Sequence, residues 1–85
     1  ANIIISEHGI PDRSDVQRRR LIREAEQVLR HAPFVTGYFH WCFTRNTEWD
    51  LGFGGNFGVV DVKATDNFKR VPRKSYHLLR RLWRP

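Results

Sequence analysis

The sequence holds one cysteine, Cys42, and no methionine. A single thiol cannot build an internal disulfide framework, so a cystine-stapled scaffold is excluded. It cannot supply a cysteine-rich zinc site either, and the four histidines fall at no ligand spacing, so no metal and no cofactor are expected. No apolar run approaches the ~18 residues of a membrane-spanning helix, and no membrane partner is expected. Nothing at the start resembles a secretory leader, which makes a reducing, cytoplasmic location the expectation. The lack of methionine even at position 1, with a strand-like run directly after Ala1, leads us to expect a piece of a longer protein or a chain numbered from a processed start. Acidic residues are scarce, 9 against 15 Lys+Arg, for a net charge of +6.

What is present is apolar enough to fold. Hydrophobic residues make up 40% and aromatics 13% of 85 residues, too many for a disordered tail. Such a length allows one small domain with a marginal core. The excess of base has two readings. Arg18, Arg19 and Arg20 run together, and Lys69, Arg70, Arg73, Lys74, Arg80, Arg81 and Arg84 crowd the end without an acid among them. Clusters of this kind neutralise phosphates. They also solvate the outer faces of helices. No helix-turn-helix, RNA-binding or zinc pattern supports the first reading, and a nucleic-acid partner is not expected.

Residues 2–6, Asn-Ile-Ile-Ile-Ser, read as a strand buried on both faces. Pro11-Asp12 and Ser14-Asp15 mark a loop, and Ser14-x-x-Gln17 reads as a capping box. A helix is predicted over 15–32, with Leu21, Ile22, Ala25, Val28, Leu29 and Ala32 forming one stripe at helical period. Arg18, Arg19, Arg23, Glu26 and Arg30 fall on the opposite, solvated face, and Pro33 stops the helix. Residues 34–43 read as a second buried strand. A long loop, Thr44 to Asn56, carries Trp49 and the glycines 52, 54 and 55. Residues 57–63 suggest a short hairpin strand turning at Asp66-Asn67, and Pro72 opens a last helix over 73–83. The order amounts to two βα units, hence parallel strands. Two such strands bury both faces only inside a larger assembly.

In a βα unit, functional residues collect at the carboxyl end of the strand. Glu7 falls at that end of the first strand and Trp41 at that end of the second, with Glu48 and Trp49 in the loop beyond. Two carboxylates and two indoles on one face suit a sugar, whose C–H face stacks on an indole while its hydroxyls donate to carboxylates. On residue types alone, Glu7 as a cap and Trp41 as core stay equally open.

Ile4-Ile5-Ser6-Glu7-His8-Gly9-Ile10 resembles the signature I/V-T-E-N-G-I of glycoside hydrolase family one, the β-glucosidase, β-galactosidase and myrosinase family. Residues 37–49, Gly-Tyr-Phe-His-Trp-Cys-Phe-Thr-Arg-Asn-Thr-Glu-Trp, resemble that family's G-Y-F-x-W-S-L-L-D-N-F-E-W. Gly52-Phe53, Phe57-Gly58-Val59-Val60 and Lys69-Arg70-Val71-Pro72-Arg73-Lys74-Ser75 are similar to later motifs in the same order. The resemblance implies an α/β fold, a (β/α)8 TIM barrel, of which residues 1–85 form the last quarter, strand seven to helix eight, with no separate domains. It implies retaining hydrolysis of β-glycosides with Glu7 as nucleophile. Glu48 matches the carboxylate that accepts from the sugar O4 and O6 hydroxyls, Trp49 an indole that donates to O3, Trp41 the stacking platform, and Phe57 an aromatic bordering the pocket. The second carboxyl, the acid/base, belongs to a T-x-N-E-P motif that this chain lacks. Glu24 and Glu26, on the helix, cannot replace it. The implied partners are therefore a β-glycoside and the remaining barrel segments, and the chain alone is expected to be inactive. A non-catalytic barrel fragment or module is the alternative. The chain departs from the family at His8 for Asn, Cys42 for Ser or Thr, Arg45 for Asp, Thr47 for an aromatic residue and Asn56 for Arg. Arg45 would put a cation near the pocket loop. His31 and His40 receive no role.

Overall fold

A computed structural model describes residues 2–83, so Arg84 of the basic run lies outside the described residues. The elements are β1 (Ile3–His8), α1 (Val16–Arg30), β2 (Val35–His40), β3 (Val60–Lys63), β4 (Lys69–Pro72) and α2 (Lys74–Leu82). β1 and β2 pair in parallel, as two βα units require, with Ile5 opposite Tyr38 and His8 opposite His40. β3 and β4 form an antiparallel hairpin about the turn at Asp66-Asn67, with Val60 opposite Pro72. β4 is a strand that the sequence reading did not anticipate. Its Lys-Arg-Val-Pro has no apolar alternation, and Pro72, taken there as the helix start, instead ends the strand. Edge position makes this tolerable, since a proline lacks the N–H that a central strand must donate.

Helix α1 begins one residue later than expected and is capped differently. Asp15 takes the N-cap position in the left-handed region, φ 68°, and makes no side-chain cap bond. The Asp12 carboxylate does that work, accepting from the backbone N–H of Gln17 at 2.7 Å and of Arg18 at 3.3 Å, and from the Ser14 N–H and hydroxyl. Burial alone would raise the Asp12 pKa, but these hydrogen bonds outweigh it and hold the carboxyl below its ordinary value.

The core lies between the helices and the hairpin rather than on the parallel strands. Ile22 of α1, Val59 and Val60 at the start of β3, and Leu78 of α2 are buried together, with Tyr76, Leu79 and Leu82 packed around them. β1 and β2, by contrast, are not buried on both faces: Ile4 is 61% and Phe39 62% exposed. Val28, from the expected apolar stripe of α1, is 67% exposed. An open apolar groove of about 270 Å³ separates α1 from the strands, between Leu21, Ala25, Val28 and Leu29 on one side and Ile5 and Tyr38 on the other. Two strands and two helices supply too few layers to cover both faces of a parallel sheet.

Arg18 corrects the sequence reading. Expected on the solvated face, it is fully buried. Its Nη1 donates to Asp15 Oδ1 at 2.7 Å, and its Nη2 reaches the carbonyls of Ile10 and Asn56. The same Asp15 carboxylate accepts from the backbone N–H and the hydroxyl of Ser75, at 2.9 and 2.7 Å, at the start of α2. One ion pair thus ties the β1–α1 loop, the loop after β2 and the last helix. Arg18 is therefore withdrawn from any phosphate-binding surface. So is Arg73, whose nearly buried guanidinium lies 3.4 Å from Asp61 and donates to the Asp12 carbonyl.

His40 lies on the same side of β2 as Tyr38. Burial, reinforced chiefly by the Arg18 charge, pushes its pKa down to about 4, so the ring is neutral near pH 7. Its two ring nitrogens have no hydrogen-bond partner among the described residues.

Two outcomes are expected. In the full-length protein Asp15→Asn, which tolerates the left-handed backbone, leaves Arg18 buried without its counter-charge. It should cost roughly 3–5 kcal/mol in urea unfolding. Removal of the exposed Arg20–Glu24 pair should cost ~0.5 kcal/mol or less, and equal costs would contradict the central role of Arg18. Second, residues 1–85 alone should not fold as a cooperative monomer, because apolar faces and ladder edges stay uncovered. A sharp two-state thermal transition of the isolated monomer would disprove this.

Candidate active site

Strand alternation decides which way the last residues of β1 face. His8 turns toward the helical side, where its Nδ1 and the Tyr38 hydroxyl are hydrogen-bonded at 2.9 Å. Tyr38 in turn stacks on Trp83, with ring centroids 5.4 Å apart. Glu7, one residue earlier, faces the opposite side. There the strand ends come close: the Trp41 N–H donates to the His8 carbonyl at 3.0 Å. Gly9 is required at this crossing, because a Cβ would fall on the Trp41 carbonyl.

Beyond Trp41 the chain drops onto the hairpin. Val59 and Val60 donate to the carbonyls of Cys42 and Phe43 at 3.1 and 2.8 Å, and Arg45 donates to the Val60 carbonyl at 2.9 Å. Cys42 is buried, and its thiol lies 3.3 Å from the Thr44 carbonyl. Burial, and then the charge of Glu48, raise its pKa, so it stays protonated and is no nucleophile. The loop then folds back on itself. Glu48 N–H donates to the Gly52 carbonyl at 2.8 Å and Gly52 N–H to the Glu48 carbonyl at 2.9 Å, a closed turn with Trp49, Asp50 and Leu51 at its tip. Gly55 backs this turn, and a Cβ there would press on Glu48 Cγ at 2.9 Å.

The result is one cleft of about 610 Å³ at the carboxyl ends of β1 and β2, lined by Glu7, Trp41, Glu48, Trp49, Asp50, Leu51 and Phe57. All five residues singled out from the sequence, Glu7, Trp41, Glu48, Trp49 and Phe57, meet there. Trp41 Nε1 donates to Glu48 Oε1 at 3.2 Å, which joins platform and carboxylate. Trp49 is the outlier, with its indole fully exposed on the turn and seated against none of the described residues. Asp50 and Leu51 were missed. Their only signal is adjacency to Trp49, and it takes the closed turn to bring them to the cleft.

Arg45 does not enter the cleft. Its guanidinium is drawn away onto Asp61 at 3.2 Å and onto the Phe53 carbonyl at 2.6 Å, so the cation expected near the pocket is spent elsewhere. Glu24 and Glu26 lie on α1, paired with Arg20 and Arg30, remote from the cleft lining. No group of three or more His, Cys, Asp or Glu able to hold a metal ion occurs among the described residues.

The glycosyl hydrolase family 1 model matches residues 2–84. A chloroplastic galactolipid galactosyltransferase from Arabidopsis thaliana is 36% identical over 84 residues, covering 93% of this chain and 13% of its own length. A β-galactosidase from Pyrococcus woesei is 35% identical over 85 residues, covering 94% of this chain and 16% of its own. The crystal structure of a β-glucosidase from Pyrococcus furiosus superimposes with a TM-score of 0.81 at 34% identity, over 95% of this chain and 18% of that one. The chain thus spans less than a fifth of the length of these relatives. The strands and helices described above are part of a (β/α)8 barrel, and the chain belongs to glycosyl hydrolase family 1.

Proposed function

We propose that these residues are the last quarter, strand seven to helix eight, of the barrel of a retaining β-glycosidase, competent only with the rest of that barrel. The observation that carries this reading is the shared cleft: a carboxylate at the end of β1 faces an indole at the end of β2 and a second carboxylate hydrogen-bonded to that indole. In this reading Glu7 attacks the anomeric carbon as the bond to the leaving oxygen breaks. That oxygen takes a proton from an acid/base carboxyl about 5–5.5 Å from the nucleophile, supplied by another barrel segment. Water then attacks the covalent glycosyl-enzyme, passes its proton to the same carboxylate, and releases Glu7. Trp41 stacks under the glycone, Glu48 accepts from its O4 and O6 hydroxyls, Trp49 donates to O3, and Phe57 borders the pocket.

A second reading concerns the final acceptor. One relative is named a galactosyltransferase, and the same covalent intermediate can be resolved by a sugar hydroxyl instead of water. The two differ only in which oxygen attacks.

In the full-length protein, Glu7→Ala should reduce hydrolysis of an aryl β-glucoside by several orders of magnitude, and added azide should partly restore it by attacking the anomeric carbon from the vacated space. Unchanged turnover would remove Glu7 from the mechanism. The cleft lining among the described residues, moreover, carries three carboxylates, Glu7, Glu48 and Asp50, and no Lys or Arg. A phosphate on O6 would meet Glu48 at contact distance in a partly dry site, a repulsion of several kcal/mol. Nitrophenyl β-glucoside should therefore turn over faster than its 6-phosphate, and the reverse order would overturn Glu48 as the anchor of a neutral sugar.

A further inference from the structure

The turn that presents Glu48 has little apolar packing of its own, and Trp49, Asp50 and Leu51 at its tip are all exposed. Besides its own Glu48–Gly52 backbone pair and the Trp41 Nε1–Glu48 bond, it is held by Arg45. Its side chain is 18% exposed and makes three contacts. Nη1 donates to Asp61 Oδ1 at 3.2 Å, Nη2 donates to the Phe53 carbonyl at 2.6 Å, and the guanidinium lies 4.3 Å from the Phe53 ring centroid. Asp61 is itself fixed. It accepts from the Val62 N–H at 2.8 Å and is paired with Lys63 at 2.9 Å and Arg73 at 3.4 Å. Burial alone would raise the Asp61 pKa, but its bonds to Lys63 and Arg45 and the charge of Arg73 bring it below its ordinary value. The carboxylate thus stays ionised opposite Arg45.

Phe53 directly follows Gly52, the residue whose N–H and carbonyl both bond to the Glu48 backbone. A grip on the Phe53 carbonyl is therefore a grip, one peptide away, on the arm that closes against Glu48. Gly55, two residues further on, approaches Glu48 Cγ closely enough to leave no space for a Cβ. The restraint runs from the hairpin through Asp61 and Arg45 to Phe53, and from there to the backbone of Glu48.

We propose that Arg45 is a positioning residue for Glu48, setting the direction in which that carboxylate meets the glycone hydroxyls without touching the sugar itself. The planar guanidinium suits the task, because it spans a carboxylate and a carbonyl at once while stacking on an aromatic ring, which a lysine cannot do. The proposal rests on the reading of the cleft as a glycone site.

The test compares, in the full-length protein, nitrophenyl β-glucoside with its 6-deoxy analogue, which lacks one hydroxyl assigned to Glu48. The parent should prefer the hydroxylated substrate in kcat/KM. Arg45→Ala should reduce that preference about tenfold, the scale of one charge-assisted hydrogen bond, while the 6-deoxy compound, which keeps only the O4 contact to Glu48, loses distinctly less kcat/KM than the hydroxylated one. Arg45→Lys should recover only part of the preference. Equal losses on both substrates, or an unaltered preference, would reduce Arg45 to a structural brace and sink the proposal. If Arg45→Ala does not fold, Asp61→Asn, which loosens the same grip, is judged by the same ratio. A parent with no preference for the hydroxylated sugar would instead overturn the glycone reading of the cleft, and the proposal with it.

Discussion

The fold turns on one buried cation. Taking a guanidinium out of water is costly unless a counter-charge and further acceptors replace its hydration. Arg18 meets that requirement with Asp15 and the Ile10 carbonyl of the β1–α1 loop and with the Asn56 carbonyl of the loop after β2. The requirement works in both directions. Any arrangement that separates these groups strands a charge in the interior, so the two loops flanking the cleft are held to one relative placement. Apolar contact could not do this here, since the central buried apolar cluster among the described residues is small, Ile22, Val59, Val60 and Leu78. In so thin a piece of structure, directional polar bonds supply the specificity that a full core would otherwise provide.

The cleft inherits its form from that frame. The Asn56 carbonyl, held by Arg18 and by the Asp12 N–H at 3.0 Å, immediately precedes Phe57 on the cleft wall. Arg45 performs the analogous service at the other end of the loop. The departures from the family's usual residues fall mostly behind the site: His8 turns toward Tyr38, Cys42 is buried, and Arg45 is bound to Asp61. Five of the side chains that face the cleft, Glu7, Trp41, Glu48, Trp49 and Phe57, are those whose types resemble the family pattern.

Much of this was legible in the residues. The β-branched run of β1, the helical stripe around Ile22, the parallel pairing and the turn at Asp66-Asn67 each follow from a local rule that the structure obeys. The five cleft residues could be named because motif spacing survives without knowledge of loop geometry. Other features resisted for physical reasons. A helical wheel assigns every arginine to solvent, whereas the burial of Arg18 depends on Asp15 three residues earlier and on two loop carbonyls that no wheel displays. Ser14 looked like the cap, but the left-handed turn at Asp15 gives the free N–H groups to Asp12. β4 escaped notice because edge strands need no hydrophobic alternation. Asp50 and the grip of Arg45 depend on how a glycine-rich loop closes, which no periodicity encodes.

The polar frame also sets an order of events during folding. Asp15 and Ser75 are joined across 60 residues, and Arg73 reaches the Asp12 carbonyl across 61. These are among the least local contacts the chain can make, and loop-closure entropy must be met before they return any stability. As the polypeptide emerges in sequence, α1 forms with Asp15 still lacking Ser75 and must keep its arginine hydrated. The inward turn of Arg18 needs the Asn56 carbonyl, and the Asp15 carboxylate beside it is completed only by Ser75 at the start of α2. Up to that point the two rims of the cleft are independent loops, and the alignment of Glu7 with Glu48 is among the last properties this stretch of chain acquires.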